Sequence, residues 1–399
     1  MIYLPFKKII SILKHKKRLL FFYFLNRVIY YIKGLLLYIY FSFFKKNINP
    51  SMFFFSKKVC LLNDVDLKIL CDNYSEITKL LNDEAGGLWT HIIEDYYKEF
   101  SNNLVSHNYS SLRELIQEIG SQSFTKGISL SADVPKNIFE KGHLLKRFDF
   151  YLRIYNKVSL NKNVIFPTNF GRFHGLKIGN DFFQVSSFRH NYYAEKISSL
   201  LKVKNGNVIE IGGGYGGVCY QLFKSFKFKG TYIMVDLPIM LINTAIFLRQ
   251  ALPNKKIKFL TNLDEFIFEN YDIVLIPNNL YSEKIIKNVA VAFNAHSFTE
   301  MDFSTTKMYL NSFIDIEPEF IYSFNHNLEY EYYAKGILKK LSSLDNKEFS
   351  SIIEKKYNLV NRFPELLQGE SCKETLYHQK AYFEYLWIKK SSQYKMNSL

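Results

Sequence analysis

From Leu19 to Phe44 the chain is almost uniformly apolar, LLFFYFLNRVIYYIKGLLLYIYFSFF, and only Arg27 and Lys33 charge it. Each of those cations costs about 2.5 to 3.5 kcal/mol at mid-bilayer, against a few tenths gained per Leu, Ile or Phe, so the run makes a poor span. Wound as a helix, it gathers Asn26, Arg27, Tyr30 and Lys33 into one polar stripe. That pattern suits a helix lying in the plane of a membrane surface, with burial along a protein core as the alternative. No small-residue cleavage site follows it, so no signal peptide is expected.

Beyond Ser51 the rhythm changes. Leu61 to Leu81, Trp89 to Phe100 and Leu112 to Ile119 carry apolar residues three and four apart, which predicts helices. Val164 to Val185 is β-rich and broken by Pro167, Gly171, Gly175 and Gly179-Asn180, which predicts loops and a short hairpin. A helical stretch, HNYYAEKISSLLKV, leads into the buried-strand pattern NVIEI at Asn207 to Ile211. Strands then alternate with helices: TYIMVD, a helix from Leu237-Pro238, KIKFL, YDIVLIPNNL, VAVAF, a helix over Thr305 to Ile314, and FIYSFN. The last stretch, TLYHQKAYFEYLWIKK, reads as a helix whose aromatic stripe, with His378 and Trp387, packs inward.

These elements predict an α/β protein. A basic segment at 1–50 precedes a mainly helical domain at 51–200, a Rossmann-like domain at 201–335 and a helical C-terminal segment at 336–399. With 48% hydrophobic residues, 9 Pro, 18 Gly and no fixed-period repeat, the chain is neither disordered, collagen-like nor a solenoid. The net charge of +15 suggests a nucleic-acid partner until its position is considered. Ten of those charges, without one acid, fall in residues 1–50. The body is only mildly basic, so no nucleic-acid partner is expected, whereas the terminus suits an anionic membrane surface. Cys60, Cys71, Cys219 and Cys372 have neither disulfide-framework nor zinc-ligand spacing, which fits a reducing cytosol. The expected location is therefore cytoplasmic, peripheral at the inner face of the membrane.

The candidate chemistry begins after NVIEI, where Gly212-Gly213-Gly214-Tyr215-Gly216-Gly217 opens a helix bearing Val218, Leu222, Phe223 and Phe226. Strand, glycine loop and helix form the turn through which nucleotide-like cofactors approach a backbone. Asp236, twenty residues after Gly216, ends the second strand, where a carboxylate can accept from both ribose hydroxyls. Gly212, Gly214 and Gly217 satisfy the dinucleotide spacing GxGxxG, while Gly212, Gly214 and Gly216 satisfy the GxGxG spacing expected for S-adenosylmethionine. Glu210 discriminates, because its charge would repel a pyrophosphate but can accept from an aminoacyl group. A glycine turn without ligand is the bland alternative.

Four stretches resemble the class I S-adenosylmethionine-dependent methyltransferases, and more narrowly the sugar O-methyltransferases of bacterial surface-polysaccharide gene clusters. They are RHNYYAEKIS at Arg189 to Ser198, VIEIGGGYGGV at Val208 to Val218, YIMVDLP at Tyr232 to Pro238 and FNAHSFTEM at Phe293 to Met301. The likeness implies S-adenosylmethionine as cofactor, held by Glu210, Gly212, Gly213, Gly214, Gly216, Asp236, Leu237, Asn278 and Asn294, and a sugar or glycan hydroxyl as acceptor. Asn278 is expected near the adenine, with KIKFL competing for that role. A hydroxyl needs a base to take its proton, and His296 is the first candidate, followed by His190 and Glu300. Glu300 has capping of the helix near Asp302 as its alternative role, and His296 an ordinary loop hydrogen bond. His326 is expected to be structural. No metal ligand set is apparent, and no oligomeric state is implied. Two other function classes compete, a nicotinamide-dependent oxidoreductase and a non-catalytic polysaccharide-assembly factor on a methyltransferase fold.

Overall fold

The strand NVIEI and the glycine loop behind it sit at the centre of an eight-stranded sheet. The computed structural model describes residues 6–45, 47–79, 89–125, 134–160, 164–262, 268–326, 330–334, 337–341, 344, 347–368 and 382–392. In chain order the first helix is α1 (Phe6–Phe43), followed by β1 (Phe53–Phe55), α2 (Asp64–Lys79), α3 (Trp89–Tyr96), α4 (Lys98–Val105), α5 (Tyr109–Ile116) and α6 (Ile138–Val158). A hairpin of β2 (His174–Ile178) and β3 (Asp181–Phe183) precedes α7 (Val185–Val203). The alternating part runs β4 (Asn207–Ile211), α8 (Gly217–Phe226), β5 (Tyr232–Asp236), α9 (Pro238–Ala251), β6 (Ile257–Phe259), β7 (Ile273–Pro277), β8 (Val289–Ala295), α10 (Phe303–Ile316) and β9 (Phe320–His326). The chain closes with β10 (Tyr330–Ala334), β11 (Ile337–Leu341), α11 (Lys347–Ile353), β12 (Tyr357–Pro364) and β13 (Tyr382–Lys389).

The sheet order is β12-β13-β9-β8-β4-β5-β7-β6, with the six strands from β9 to β6 parallel and β13 antiparallel to both its neighbours. Such strands, covered on both faces, should be continuously apolar, and β4, β7 and β8 are buried along nearly their whole length. Alternate residues feed two core layers. Val208 and Met234 join residues of α7, α8 and α9, while Ile209, Ile211 and Val235 meet Tyr309, Leu310 and Phe313 of α10. The chain leaves β7 on one side of β4 and returns as β8 on the other, so the sheet is doubly wound and Rossmann-like. This reversal opens a crevice at the carboxyl ends of β4 and β8, the place where such sheets take ligands.

Three sequence expectations change. First, the described part of the C-terminal segment is mixed rather than helical: beside the short α11, β12 and β13 complete the sheet, and Trp387 of β13 lies buried opposite Ile321 of β9. The run YFEYLWIK also has period two, and its aromatic and branched side chains fit a pleated, half-buried surface. Tyr385 and Trp387 share a face, with ring centroids 5.3 Å apart. His378 lies outside the described residues. The boundary at 335 therefore cuts a sheet.

Second, the core of 51–200 is continuous with that of the sheet. Phe166, Phe170 and Phe173 pack around Phe247 of α9, and Gln250 Oε1 accepts from the backbone N–H of Leu61 at 2.8 Å. Third, residues 1–50 are not a detached segment. Gly34 of α1 and Gly142 of α6 meet backbone to backbone, so that a Cβ at Gly142 would collide with the Gly34 carbonyl oxygen. Phe41 is buried in the same core. Among the described residues, no helix is long and apolar enough to cross a membrane.

Candidate active site

A cavity of about 340 Å³ opens at the carboxyl ends of β4, β5, β7 and β8. Its floor is the glycine loop. Gly212 has φ +73°, a left-handed conformation that glycine adopts without a Cβ penalty. A Cβ at Gly213 would stand 2.6 Å from Met234 Sδ and 2.7 Å from Glu210 Oε2. The loop is thus glycine because neighbouring side chains already fill the space beneath it.

Two carboxyls lie against this floor. Glu210 is buried within β4 and accepts from the Tyr232 hydroxyl at 2.7 Å. Burial raises its pKa to about 8, opposed by the Tyr232 hydrogen bond and assisted by the charge of Asp236. Asp236 ends β5 and accepts from the N–H of Gly214 at 3.0 Å and of Leu237 at 2.7 Å. Burial outweighs those two bonds and lifts it to about 6. Two acids whose ionised forms are this disfavoured make a site that gains most from a cationic ligand. Leu237 lines the wall beside them. Asn278, just past β7, also lines it, and its side-chain oxygen is buried without a partner. KIKFL does not reach the cavity, because β7 intervenes between β5 and β6 and leaves β6 at the sheet edge.

The opposite wall carries the candidate bases. His296 follows β8 with φ +65°, and its N–H donates to the Phe324 carbonyl at 2.7 Å. Its Nε2 lies 3.0 Å from the Tyr193 hydroxyl, which itself donates to Oε1 of the buried Glu365. When Glu365 is ionised it takes the one proton of Tyr193, so Nε2 of His296 then carries the hydrogen between those two rings and Nδ1 keeps the lone pair. Burial, with Arg189, His190 and His326 nearby, holds the His296 pKa well below its ordinary value, so the ring is a neutral base. Glu365 is pushed up to about 7 by burial, against Arg189 and the Tyr193 hydrogen bond. Its other oxygen is 3.9 Å from His296 Nε2.

His190 also lines the cavity, but its Nδ1 lies 2.9 Å from the Tyr215 hydroxyl and a Cβ at Gly217 would collide with it. Its pKa is lowered to about 3 by burial and Arg189, and through these contacts it supports the glycine loop. Glu300 lines the cavity in a short turn. The capping role falls to Asp302, whose side chain accepts from Thr305 N–H at 2.8 Å. Asn294 departs from expectation. It is fully buried, donates to the Ile211 carbonyl at 2.8 Å and accepts from Asn325 at 2.7 Å, and it does not line the cavity. It ties the ends of β4 and β8 together, whereas Ser297 next to His296 faces the space. His326 ends β9 away from the cavity wall.

Tyr193, Arg189 and Glu365 were not among the sequence candidates. Tyr193 and Arg189 stand in the quoted RHNYYAEKIS stretch, where their helical spacing, i and i+4, puts them on one face. Glu365 lies far along the chain and carries no local signal. Among the described residues, no group of three His, Cys, Asp or Glu could hold a metal ion.

No protein-family model and no curated protein matches this chain. Solved structures match parts of it. They include the glycopeptide N-methyltransferase MtfA complexed with S-adenosyl-L-methionine (10% identity, 50% of this chain and 94% of that one, TM-score 0.32). The small RNA methyltransferase HEN1 matches at 10% identity over 51% of this chain and 26% of that one, with a TM-score of 0.35. The Haemonchus contortus phosphoethanolamine N-methyltransferase 2 matches at 9% identity over 49% and 52%, with a TM-score of 0.32. Similarity at this level carries no argument about activity, which rests on the cavity.

Proposed function

We propose that the protein is an S-adenosylmethionine-dependent O-methyltransferase acting on a sugar hydroxyl in surface-polysaccharide synthesis, capsule or O-antigen. The observation that carries the cofactor reading is the pair Glu210 and Asp236 flanking a glycine floor with no room for a Cβ. Bound there, the cofactor supplies a methyl group on a positively charged sulfur. Glu210 and Asp236 oppose its cationic and hydroxyl-bearing parts, and the unpartnered oxygen of Asn278 awaits a donor such as an exocyclic adenine amine. A nicotinamide dinucleotide fits less well, since its pyrophosphate would bring negative charge toward Glu210, whose ionised form burial already disfavours.

The acceptor reading rests on His296. An acceptor hydroxyl gains nucleophilicity when a neutral imidazole takes its proton, and Nδ1 is the free lone pair for that step. The positive charge then formed on His296 is opposed by Glu365 through Tyr193. An in-line transfer also needs the acceptor oxygen aligned with the methyl group, a task for the cavity walls around His296. The resemblance of FNAHSFTEM and its neighbours to sugar O-methyltransferases selects a sugar among hydroxyl acceptors. The reading places the enzyme in the cytoplasm, on a nucleotide-linked, lipid-linked or growing glycan.

Mass spectrometry of surface glycans from a deletion strain tests it. Loss of one methyl group per repeat, restored by the wild-type chain and not by His296→Ala, is the expected result. Unaltered glycans would remove the sugar acceptor and leave the cofactor reading to be judged by binding.

A further inference from the structure

The packing of α1 leaves a second apolar seam. Its inner face is fixed to α6 by the Gly34–Gly142 contact, by the Tyr30 and His143 rings stacked 4.0 Å apart, and by His143 Nε2 against the Tyr30 carbonyl at 2.9 Å. Lys45 closes the end of the helix on Asp149 at 3.3 Å. On the far side Leu25, Ile29, Ile32, Leu36, Ile39 and Phe43 follow one another at alternating steps of four and three, which aligns them along the helix. All six are exposed, Ile32 by 54%, Leu36 by 61% and Phe43 by 80%. A straight seam of this kind, anchored to a folded body, is larger than the scattered apolar residues an ordinary surface carries.

Charge selects the occupant. Residues 1–50 hold ten basic residues and no acid, and Lys33 borders the exposed seam, while Arg27, also exposed, turns toward Tyr31. Two copies paired along α1 would bring like charges together with no carboxylate on either helix to offset them. An anionic bilayer offers the complementary surface: apolar residues enter the acyl boundary while Arg and Lys reach the headgroups.

We propose that the outer face of α1, from Leu25 to Phe43, docks the protein in plane on an anionic lipid surface. The docking is independent of the methyl-transfer reading, and so is its test. Full-length protein is sedimented with vesicles of phosphatidylcholine alone and of phosphatidylcholine with phosphatidylglycerol, and its mass in solution is measured by light scattering. Selective binding to the phosphatidylglycerol vesicles is expected, weakened at high salt. The double variant Ile32→Glu, Leu36→Glu, at positions already exposed, should bind about tenfold less or worse with an unchanged unfolding midpoint. Arg27→Glu with Lys33→Glu should weaken the preference for the anionic vesicles by about tenfold or more even if the first variant misfolds. No binding, equal binding to both vesicles, or wild-type binding by the charge-reversed variant would overturn the proposal. A wild-type dimer that the Ile32, Leu36 variant converts to monomer would assign the seam to a second copy instead.

Discussion

The hydroxyl of Tyr193 stands 3.0 Å from Nε2 of His296 and gives its own proton to Glu365. The three side chains come from α7, the loop after β8 and the turn after β12, and together they give the imidazole a route for offsetting the charge it gains. Tyr193→Phe keeps the ring and removes the route. Turnover should fall by about 10- to 100-fold, with affinity for S-adenosylhomocysteine unchanged. Transfer of labelled methyl groups to glycans of the deletion strain measures the first quantity and calorimetry the second. A parallel loss of both would make Tyr193 a packing residue.

Glu365 sets a pH dependence. Its pKa is raised to about 7, so the carboxylate that opposes charge on His296 forms only as pH rises through that value. Turnover should therefore climb between about pH 6 and 8, and Glu365→Gln should lower the plateau and flatten the rise. A pH–rate profile in Glu365→Gln that matches wild type would take Glu365 out of the account.

Glu210 should act oppositely on stability and on binding. Its folded pKa of about 8 lies above the ordinary 4.5, so the folded state retains a proton that the unfolded state releases. Stability is then fully present below about pH 4.5 and declines as pH rises toward 8. Glu210→Gln removes that decline. The unliganded variant should melt higher than wild type at pH 8 but not at pH 4.5, while binding S-adenosylhomocysteine at least about tenfold more weakly. Thermal unfolding at the two pH values, with and without ligand, gives both comparisons. Equal melting at pH 8 would mean that the buried acid carries no such penalty.

At the floor of the site, Gly213→Ala places a methyl group against Met234 Sδ and Glu210 Oε2. Cofactor affinity should drop by about 100-fold or more, since Glu210 must move out of the position that holds it. Asp236→Asn should cost less, about 10-fold, as it keeps the size of the side chain and removes its charge. If Gly213→Ala binds as wild type while Asp236→Asn does not, the ligand lies further from the floor than the account places it.

The parts that were legible in the sequence are those fixed locally. The β4 strand, its glycine loop, the α8 stripe and Asp236 at the end of β5 occupy one continuous stretch, and each follows from spacing alone. Strand order was not legible: β7 inserts between β5 and β6 through non-local pairing, and that decides for Asn278 over KIKFL. The β13 run was misread because its six aromatic and aliphatic residues satisfy both a helical and an alternating period, and only its pairing with β9 chooses. Asn294 was assigned to the ligand because it stands at the end of β8, at the edge that holds the cavity, but position does not say which way a side chain turns. It turns under the loop toward Asn325. Glu365 could not be found, since nothing near it in sequence marks a buried acid, and its partner Tyr193 lies in another element of the fold.

The central claim is that the Gly212 loop with Glu210 and Asp236 cradles a cationic methyl donor, and calorimetry on the full-length protein with S-adenosylmethionine, S-adenosylhomocysteine and NAD tests it most directly. Saturable one-site binding of the first two is predicted, with protons released near pH 7 because Glu210 and Asp236 must ionise, and with no binding of NAD. Saturable binding of NAD alone, or of none of the three, would contradict it.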